Sequence, residues 1–319
     1  MSGTPEVLTI GESMVAFRSD GPVVQGGTQT SRVAGAESNV AIGLARLGHS
    51  VSWAGRVGPD SFGRLILREL RGEGVDTTHA VEDVSRPTGL MFVEQRTADL
   101  TLVEYRRSGS AGSALRREDV EAALKAGPRL VHLTGITPAL SASARDCTRW
   151  VAEAVSAAGA LVSLDVNFRS RLWPREQARE VLAPLAGHAA YVIASEDELD
   201  LVLRGDEGPE DEAAASLLDR GARAVVVKRG ARGATVHTRA GRVDLPALAV
   251  TAVDPIGAGD AFSAGYLSGV LDGLEPVECL RRGITTGAFA ASARGDWEGA
   301  PTRRELDLLA HHTPGATLR

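Results

Sequence analysis

The sequence contains few cysteines and few aromatic residues. Its 319 residues include two cysteines, Cys147 and Cys279, and no CxxC pair. So few cysteines, so far apart in the sequence, exclude a small secreted domain stabilised by several disulfides. They favour reduced cysteines in a cytoplasmic protein. Aromatic residues make up 4% of the chain, whereas hydrophobic residues of all kinds make up 43%. We therefore expect a core built mainly from Ala, Val and Leu.

An excess of positive charge and a long apolar run are also missing. The chain has 35 Lys and Arg against 41 Asp and Glu, which gives a formal net charge of -6. Proteins that bind nucleic acids or membrane surfaces usually carry a basic patch, so neither partner is expected. No stretch approaches the roughly 20 apolar residues of a membrane span, and the N-terminus lacks the basic and apolar segments of a signal peptide.

Short apolar runs alternate with helical patterns over most of the chain. The runs are apolar without alternation, as in parallel strands covered by helices on both faces. This pattern predicts a doubly wound α/β sheet in one domain spanning residues 1–319. The predicted strands are 7–10, 51–57, 130–133, 160–164, 191–194, 224–227 and 234–237, with an extended segment at 248–253. The predicted helices are 38–47, 61–71, 141–158, 175–186, 196–203, 211–219, 258–271, 276–294 and 303–310.

Two segments, approximately 13–34 and 88–107, interrupt this rhythm. Both contain β-like pieces, and the second has the pattern of a hairpin with a turn at 97–99. We expect the two segments to pair into a small β-sheet lid; two surface loops are the alternative. Because an exposed strand edge can pair with another chain, a dimer through the lid is also expected. The predicted lid strands are 14–18, 28–33, 89–95 and 100–107.

The string DPIGAGDAF at 254–262 carries the clearest chemical signal. The glycines of Gly257-Ala258-Gly259 allow backbone N–H groups to point outward, and the start of a helix favours an anion there. Asp260 follows in the first helical turn, where its carboxylate can accept the proton of an alcohol while the amides hold a phosphoryl group. The alternative is that Asp260 only stabilises the helix start.

The whole nine-residue string resembles the signature of the ribokinase-like (PfkB) carbohydrate kinases. It is neither a Walker A loop nor a dinucleotide fingerprint. The resemblance implies a ribokinase-like fold, in which Asp260 is the catalytic base and the glycine-turn amides form the anion hole. The string AGAESNVA at 34–41 is similar to the first sugar-binding signature of the family. It implies sugar contacts from Gly35, Ala36 and Asn39, although Ala34 stands where the family usually has glycine.

The resemblance also implies a nucleotide and metal site. VVKRGARG at 226–233 resembles the strand and turn that run beside the ATP phosphates. SEDE at 195–198 resembles the family's Asn-x-x-Glu element, with Ser195 in place of Asn, and implies that Glu198 contacts Mg²⁺ through water. A monovalent cation such as K⁺ near Asp254 is a further expectation, which the sequence leaves open. The residues implied for ATP are Asn167, Arg169, Ser195, Lys228, Gly230, Gly233, Gly257 and Gly259.

Four strings resemble the family members that act on 2-keto-3-deoxygluconate. They are RPTGL at 86–90, YRRSGSA at 105–111, DVNFR at 165–169 and GDWEG at 295–299. Tyr105 and Arg107 are two residues apart on a predicted strand, so they face the same side. The carboxylate of a sugar acid calls for a guanidinium, and the resemblance implies this role for Arg107 and Arg169. It also implies a sugar contact from Asp296, whereas Met91 replaces a tyrosine that many such members carry.

These residues predict an ATP- and Mg²⁺-dependent kinase that phosphorylates a primary hydroxyl of 2-keto-3-deoxygluconate. Two alternatives remain in the same class, a kinase of a neutral sugar such as fructose or ribose and a kinase of another keto-deoxy sugar acid. A third, from a different class, is a sugar or nucleotide sensor that has kept the fold without catalysis. Such a sensor is expected to have lost the base or the anion hole, and both motifs are present.

Overall fold

The computed structural model describes residues 4–97, 100–203, 205 and 208–308. The strands are β1 (Val7–Ile10), β2 (Met14–Ser19), β3 (Gln29–Ala34), β4 (Val51–Ala54), β5 (Arg56–Val57), β6 (Val81–Glu82), β7 (Leu90–Thr97), β8 (Leu100–Arg106), β9 (Leu130–Thr134), β10 (Leu161–Asp165), β11 (Tyr191–Ser195), β12 (Ala224–Lys228), β13 (Ala234–Thr238) and β14 (Gly241–Leu245). The α-helices are α1 (Ala36–Arg46), α2 (Ser61–Gly72), α3 (Arg117–Lys125), α4 (Thr137–Leu140), α5 (Ala142–Ala157), α6 (Arg175–Ala186), α7 (Glu210–Asp219), α8 (Ala258–Leu271) and α9 (Pro276–Ala291). Within these residues, no helix has the length and apolarity needed to span a membrane.

The main sheet has eight strands in the order β14-β13-β12-β11-β10-β9-β1-β4. The six strands from β12 to β4 are parallel, which confirms the ribokinase-like α/β fold. Successive residues of β1 point to opposite faces, so Val7 and Leu8 are buried in two different clusters of apolar side chains. Helices α5 and α6 cover the face reached by Leu8, whereas α1, α8 and α9 cover the face reached by Val7.

The last two strands of this sheet run antiparallel to their neighbours, so the sheet is mixed. A tight turn joins β12 to β13, and a parallel crossover would need a dozen or more residues. Gly233 permits the turn, because its φ is +104° and a Cβ there would lie 2.0 Å from the carbonyl oxygen of Leu245. The strand at 241–245 was not predicted; its sequence GRVDL begins with glycine and lacks a continuous apolar run.

The lid strands form a separate four-stranded sheet in the order β3-β2-β7-β8, which confirms the predicted accessory sheet. The predicted turn at 97–99 includes residues 98 and 99, which lie outside the described residues. Phe17 of β2 stacks on Phe92 of β7, with ring centroids 5.5 Å apart, and packs edge-on against Phe62 of α2 at 5.7 Å. These contacts fix the lid sheet against the helical layer.

Several predicted elements were wrong or incomplete. The predicted helix at 196–203 is a turn that ends in a 3-10 helix, Leu199–Val202. The segment 248–253 forms no strand, and the predicted strand 51–57 is divided into β4 and β5. The helix predicted at 276–294 ends at Ala291. At 303–310 the structure has a 3-10 helix, Arg303–Glu305, and residues 309 and 310 lie outside the described residues.

Helices α3 and α4 were not predicted. The first turn of α3 contains Glu118 and Asp119, and Asp119 accepts a hydrogen bond from the backbone N–H of Arg116 at 2.8 Å. An acid three residues after the cap is a recognisable signal for a helix start. Only Val120 and Ala123 of α3 are buried, so its apolar periodicity is weak. The four residues of α4 are too few to show any period.

Candidate active site

A cavity of about 680 Å³ lies between the lid and the carboxyl ends of strands β9 to β12. Open α/β sheets commonly bind ligands at this edge. Two predicted site residues, Gly233 and Asp254, do not line it: the first supports the hairpin turn, and the second lies behind the glycine turn. The predicted residues that do line it are Gly35, Ala36, Asn39, Tyr105, Arg107, Asn167, Arg169, Ser195, Glu198, Lys228, Gly230, Gly257, Ala258, Gly259, Asp260 and Asp296.

Asp260 is a buried carboxylate held by two amide side chains. Asn39 of α1 donates to its Oδ2 at 2.8 Å, and Asn167 donates to its Oδ1 at 3.2 Å. Burial raises the pKa of Asp260 to about 7, an effect that the nearby Asp165 reinforces and the Asn39 hydrogen bond opposes. A carboxylate with a pKa near neutrality is well matched to general-base chemistry. The first of the two amides comes from the predicted sugar signature, as the resemblance implied.

The glycine turn precedes helix α8 as predicted. Gly257 is the N-cap of α8 with φ +78°, and a Cβ at this position would lie 1.8 Å from the carbonyl oxygen of Asp296. The first N–H groups of a helix lack intrahelical acceptors. Among the three amides predicted for the anion hole, that of Ala258 already donates to the carbonyl of Pro255, over a long 3.3 Å. The amides of Gly257 and Gly259 are therefore the better anion donors of the three.

Lys228 brings a positive charge to the end of β12. Its Nζ lies 2.9 and 2.8 Å from the two carboxylate oxygens of Asp165, at the end of β10. Ser263 of α8 also donates to Asp165 at 2.7 Å. Burial alone would lower the pKa of Lys228, but the negative charges of Asp165, Glu198 and Asp260 together raise it above its ordinary value. The lysine is thus charged, and the predicted site gains an acid, Asp165, to which the sequence motif assigned no role.

Glu198 is positioned by backbone N–H groups. Its Oε1 accepts the N–H of Phe168 at 2.7 Å, and its Oε2 accepts that of Ser195 at 2.8 Å. Each carboxylate oxygen keeps a further acceptor lone pair. This arrangement suits a contact to Mg²⁺ through a water molecule. Ser195 contributes only its backbone N–H to Glu198, so serine in place of asparagine leaves that hydrogen bond unaffected.

The two arginines predicted to bind a carboxylate have different surroundings. Arg107 is buried, and its Nε and Nη2 lie 2.7 and 2.5 Å from Oε2 of Glu12, a buried acid that the sequence motifs did not identify. The guanidinium of Arg107 also lies over the ring of Tyr105, 5.3 Å from its centroid. Arg169 is exposed, donates to the carbonyl of Phe168, and has no carboxylate within 4 Å among the described residues. Arg169 therefore carries the uncommitted positive charge of the cavity.

Arg18 of β2 was not predicted as a site residue. Its Nη1 lies 2.5 Å from Oδ2 of Asp254, and its Nη2 lies 2.6 Å from Oδ1 of Asp296. Asp254 also accepts the N–H groups of Ile256 and Gly295. The guanidinium of Arg18 thus places a positive charge beside Asp254, where the resemblance implied a monovalent cation. No local pattern could have identified Arg18, whose acidic partners are 236 and 278 residues away.

Glu37 is another buried acid at the cavity that was overlooked, although it lies within the predicted sugar signature. Its Oε1 accepts the hydroxyl protons of Thr134 and Thr137 at 2.7 and 2.6 Å. Burial raises the pKa of Glu37, and the two threonine hydrogen bonds only partly oppose this. A glutamate in the first turn of a helix normally lies at a solvated helix start, where its charge is favourable. The sequence therefore contains no sign that Glu37 is buried.

A buried acid with a near-neutral pKa, an anion-binding turn and a polar cavity under a β-sheet lid are features of a phosphotransferase with an alcohol acceptor. Residues 4–303 match the model of the pfkB family carbohydrate kinases. The chain therefore belongs to this family, as the sequence signature indicated, and is a carbohydrate kinase.

Relatives along nearly the whole chain support this assignment. The chain is 38% identical to 2-dehydro-3-deoxygluconokinase of Bacillus subtilis over 307 residues, which cover 94% of each chain. It is 34% identical to the enzyme of the same name from Thermoproteus tenax, covering 95% of this chain and 93% of the relative. Among solved structures, the PfkB protein of Polaromonas sp. JS666 matches with a TM-score of 0.84 and 38% identity, over 95% of this chain and 99% of that one. A fructokinase of Xylella fastidiosa with bound ATP matches with a TM-score of 0.85 and 25% identity, over 96% and 98%.

The geometry at Asp260 predicts an unusual titration. In the ligand-free protein, the Asp260 carboxyl should titrate near pH 7, because burial disfavours its charged form. Asn39→Ala should raise this pKa further, since the variant lacks a hydrogen bond that stabilises the carboxylate. Carboxyl ¹³C NMR measures both, with the signal assigned by its loss in Asp260→Asn. A titration near the ordinary value of about 3.9 would contradict the prediction, as would an unchanged pKa in Asn39→Ala.

Proposed function

We propose that this kinase transfers the γ-phosphoryl group of ATP to a primary hydroxyl of 2-dehydro-3-deoxygluconate, the compound also called 2-keto-3-deoxygluconate. The observation that carries the proposal is Asp260, a buried carboxylate that lines the cavity beside the glycine turn and has a pKa raised to about 7. The substrate is supported by the two relatives of that name and by the guanidinium groups of Arg107 and Arg169 at the cavity.

In the proposed mechanism, the carboxylate of Asp260 accepts the proton of the attacking hydroxyl. Asn39 and Asn167 hold the carboxylate in position without neutralising it. The amides of Gly257 and Gly259 donate hydrogen bonds to the phosphoryl oxygens as negative charge spreads over them. Glu198 would hold Mg²⁺ through a water molecule, and the ion would supply positive charge to the phosphates. The lid covers the cavity and excludes water, which would otherwise compete as an acceptor.

We assign the nucleotide to the part of the cavity lined by the turn after β12. Lys228 and Gly230 line this part, Ser195 is the last residue of β11, and Asn167 follows β10. The charged Lys228 lies at the end of its strand, where it can attract the phosphates. The sugar acid is assigned to the part under the lid, next to Gly35, Ala36, Tyr105 and Asp296. Arg169 is the residue shared by the two parts.

Replacing the base provides the main test. Asp260→Asn keeps the shape of the side chain but cannot take up the hydroxyl proton, so turnover should fall by ~10²–10⁴-fold. The measurement is ATP consumption that depends on added sugar acid. Asp146→Asn, which changes an exposed acid on α5, is the matched control and should retain full turnover. Wild-type turnover in Asp260→Asn would refute the mechanism. Binding of sugar or ATP by the wild type without ATP consumption would instead indicate a sensor.

The acid substrate can be tested through Arg169. Arg169→Ala should raise KM for the keto-deoxy acid by ~10–100-fold, the value of a charge-assisted contact. At saturating ATP, which compensates for the loss of a contact between Arg169 and the nucleotide, KM for fructose or ribose should be unchanged, since neutral sugars lack the carboxylate. Arg107→Ala is a less sharp test because it also removes the partner of the buried Glu12.

Arg149→Ala, on the surface of α5, serves as the control in the same assays. An acceptor panel at equal concentration includes the C4 epimer of the acid and both neutral sugars. Preference for a neutral sugar, with no effect of Arg169→Ala on KM, would favour the neutral-sugar alternative. Preference for the epimer would identify another keto-deoxy acid as the substrate.

A dimer through the lid is also proposed. Side chains alternate along the edge strand β8: Val103 and Tyr105 line the cavity, whereas Leu100 and Leu102 on the opposite face are 50% and 44% exposed. A second copy would cover this apolar face and pair the free edge of β8. Sedimentation velocity should show a dimer that Leu102→Asp converts to monomer. Leu274→Asp, at an exposed position outside the lid, should leave it intact. A monomeric wild type would contradict the proposal.

The location of the protein is proposed to be the cytoplasm. Cys147 and Cys279 are both buried and unpaired. Burial raises the pKa of the Cys147 thiol to about 12 and that of Cys279 to about 11, so both thiols stay protonated and inert. Free thiols are typical of a reducing compartment.

A further inference from the structure

Arg18 connects the lid to two buried acids of the main body. It lies on β2, and its guanidinium donates to Asp254 at 2.5 Å through one nitrogen and to Asp296 at 2.6 Å through another. The side chains of all three residues are less than a fifth exposed. Charge pairs this well shielded from water interact much more strongly than pairs on the surface. Removing the cation would leave two neighbouring carboxylates buried without a partner.

Both acids contact the turn that we assign to the phosphoryl group. Asp254 accepts the backbone N–H of Ile256 at 3.0 Å, which fixes the chain just before Gly257. The carbonyl oxygen of Asp296 packs against Gly257 so closely that a Cβ there would lie 1.8 Å away. Asp296 also lines the cavity on the sugar side. The guanidinium of Arg18 therefore supports the anion-binding turn from behind and orients one acid toward the sugar.

The charge of Arg18 also bears on whether a monovalent cation binds near Asp254. The family resemblance implied such an ion near Asp254, but the carboxylate of Asp254 is already satisfied by Arg18 and by two backbone N–H groups. The guanidinium opposes the binding of a second cation there, because it offsets part of the negative charge of the two acids. The protein thus supplies from its own chain the positive charge that an ion would otherwise bring.

We propose that Arg18 is a built-in cation that replaces a dissociable monovalent ion and positions the phosphate-binding turn. Two consequences follow. Turnover is independent of K⁺ and Na⁺, and the cation reaches its place only when the lid strand β2 is docked. The inference rests on the proposed assignment of residues 257–260 to phosphoryl transfer. Because Arg18 acts through Asp254 and Asp296, it is a positioning residue.

The first experiment compares wild-type turnover in choline, sodium and potassium chloride at equal ionic strength. The expected change between the salts is less than ~2-fold, since a bound guanidinium cannot exchange with ions. In Arg18→Ala, kcat should fall by at least ~10-fold, as expected for two buried charges left unpaired. Millimolar guanidinium chloride should restore a large part of that kcat, with saturation. Arg18→Lys should retain intermediate turnover, because an ammonium keeps the charge but not the two-pronged geometry.

The matched control is Arg294→Ala. Arg294 pairs with Asp20 of the lid segment, but both side chains are exposed, so turnover and the response to guanidinium should match the wild type. A tenfold activation of the wild type by K⁺ would overturn the proposal. So would a folded Arg18→Ala variant that guanidinium does not rescue, with folding checked by its melting temperature. If Arg18→Ala does not fold, the salt response of the wild type and the turnover of Arg18→Lys decide.

These results are separable from a failure of the proposed function. Full activity of Asp260→Asn would refute the assigned base, and preference for another sugar would refute the assigned substrate. The salt and guanidinium experiments can use whichever sugar the enzyme phosphorylates, so they report on Arg18 in either case.

Discussion

A catalytic carboxylate in a kinase has to be buried next to a phosphate and still be able to gain and lose a proton. Asp260 meets this requirement because its two partners, Asn39 and Asn167, are neutral donors. An arginine in their place would stabilise the carboxylate more strongly and leave it a poor base. Much of the local structure serves these two hydrogen bonds. Asn167 is the one non-glycine residue with positive φ among the described residues, and this strained turn after β10 directs its amide to Asp260.

The remaining charges around the cavity follow a consistent rule. Four other buried acids at the cavity or next to the glycine turn are paired with cations, which reduces the repulsion that a polyanionic nucleotide would meet on entering. The pairs are Arg107–Glu12, Lys228–Asp165 and Arg18 with Asp254 and Asp296. Arg169 stands outside these pairs and keeps a full positive charge for an incoming anion. Among the described residues, no carboxylate lies within 4 Å of this cavity guanidinium.

Local sequence patterns were sufficient to predict the α/β architecture and the part of the site around Asp260. Helix α8 has the predicted bounds because its apolar run and glycine cap are continuous in the sequence, and the same string identified Asp260. Strand β14, with two charged residues among its five, and the four-residue helix α4 lack such a continuous apolar run and were missed. Glu12 and Arg18 were missed for a different reason. Their roles exist only through partners far along the chain, and a single charged residue in a strand gives no sign of what it will meet.

The span of the Arg18–Asp296 contact also has a consequence for how the protein is made. The two residues are separated by 278 positions, with Arg18 near the start of the chain. At a synthesis rate of roughly 5–20 residues per second, the ribosome needs on the order of 14–56 s to produce the second after the first. During that time strand β2 has been synthesised but Asp296, which pairs with its Arg18, has not. This contact can therefore form only after nearly all of the described chain, helix α9 included, has been synthesised.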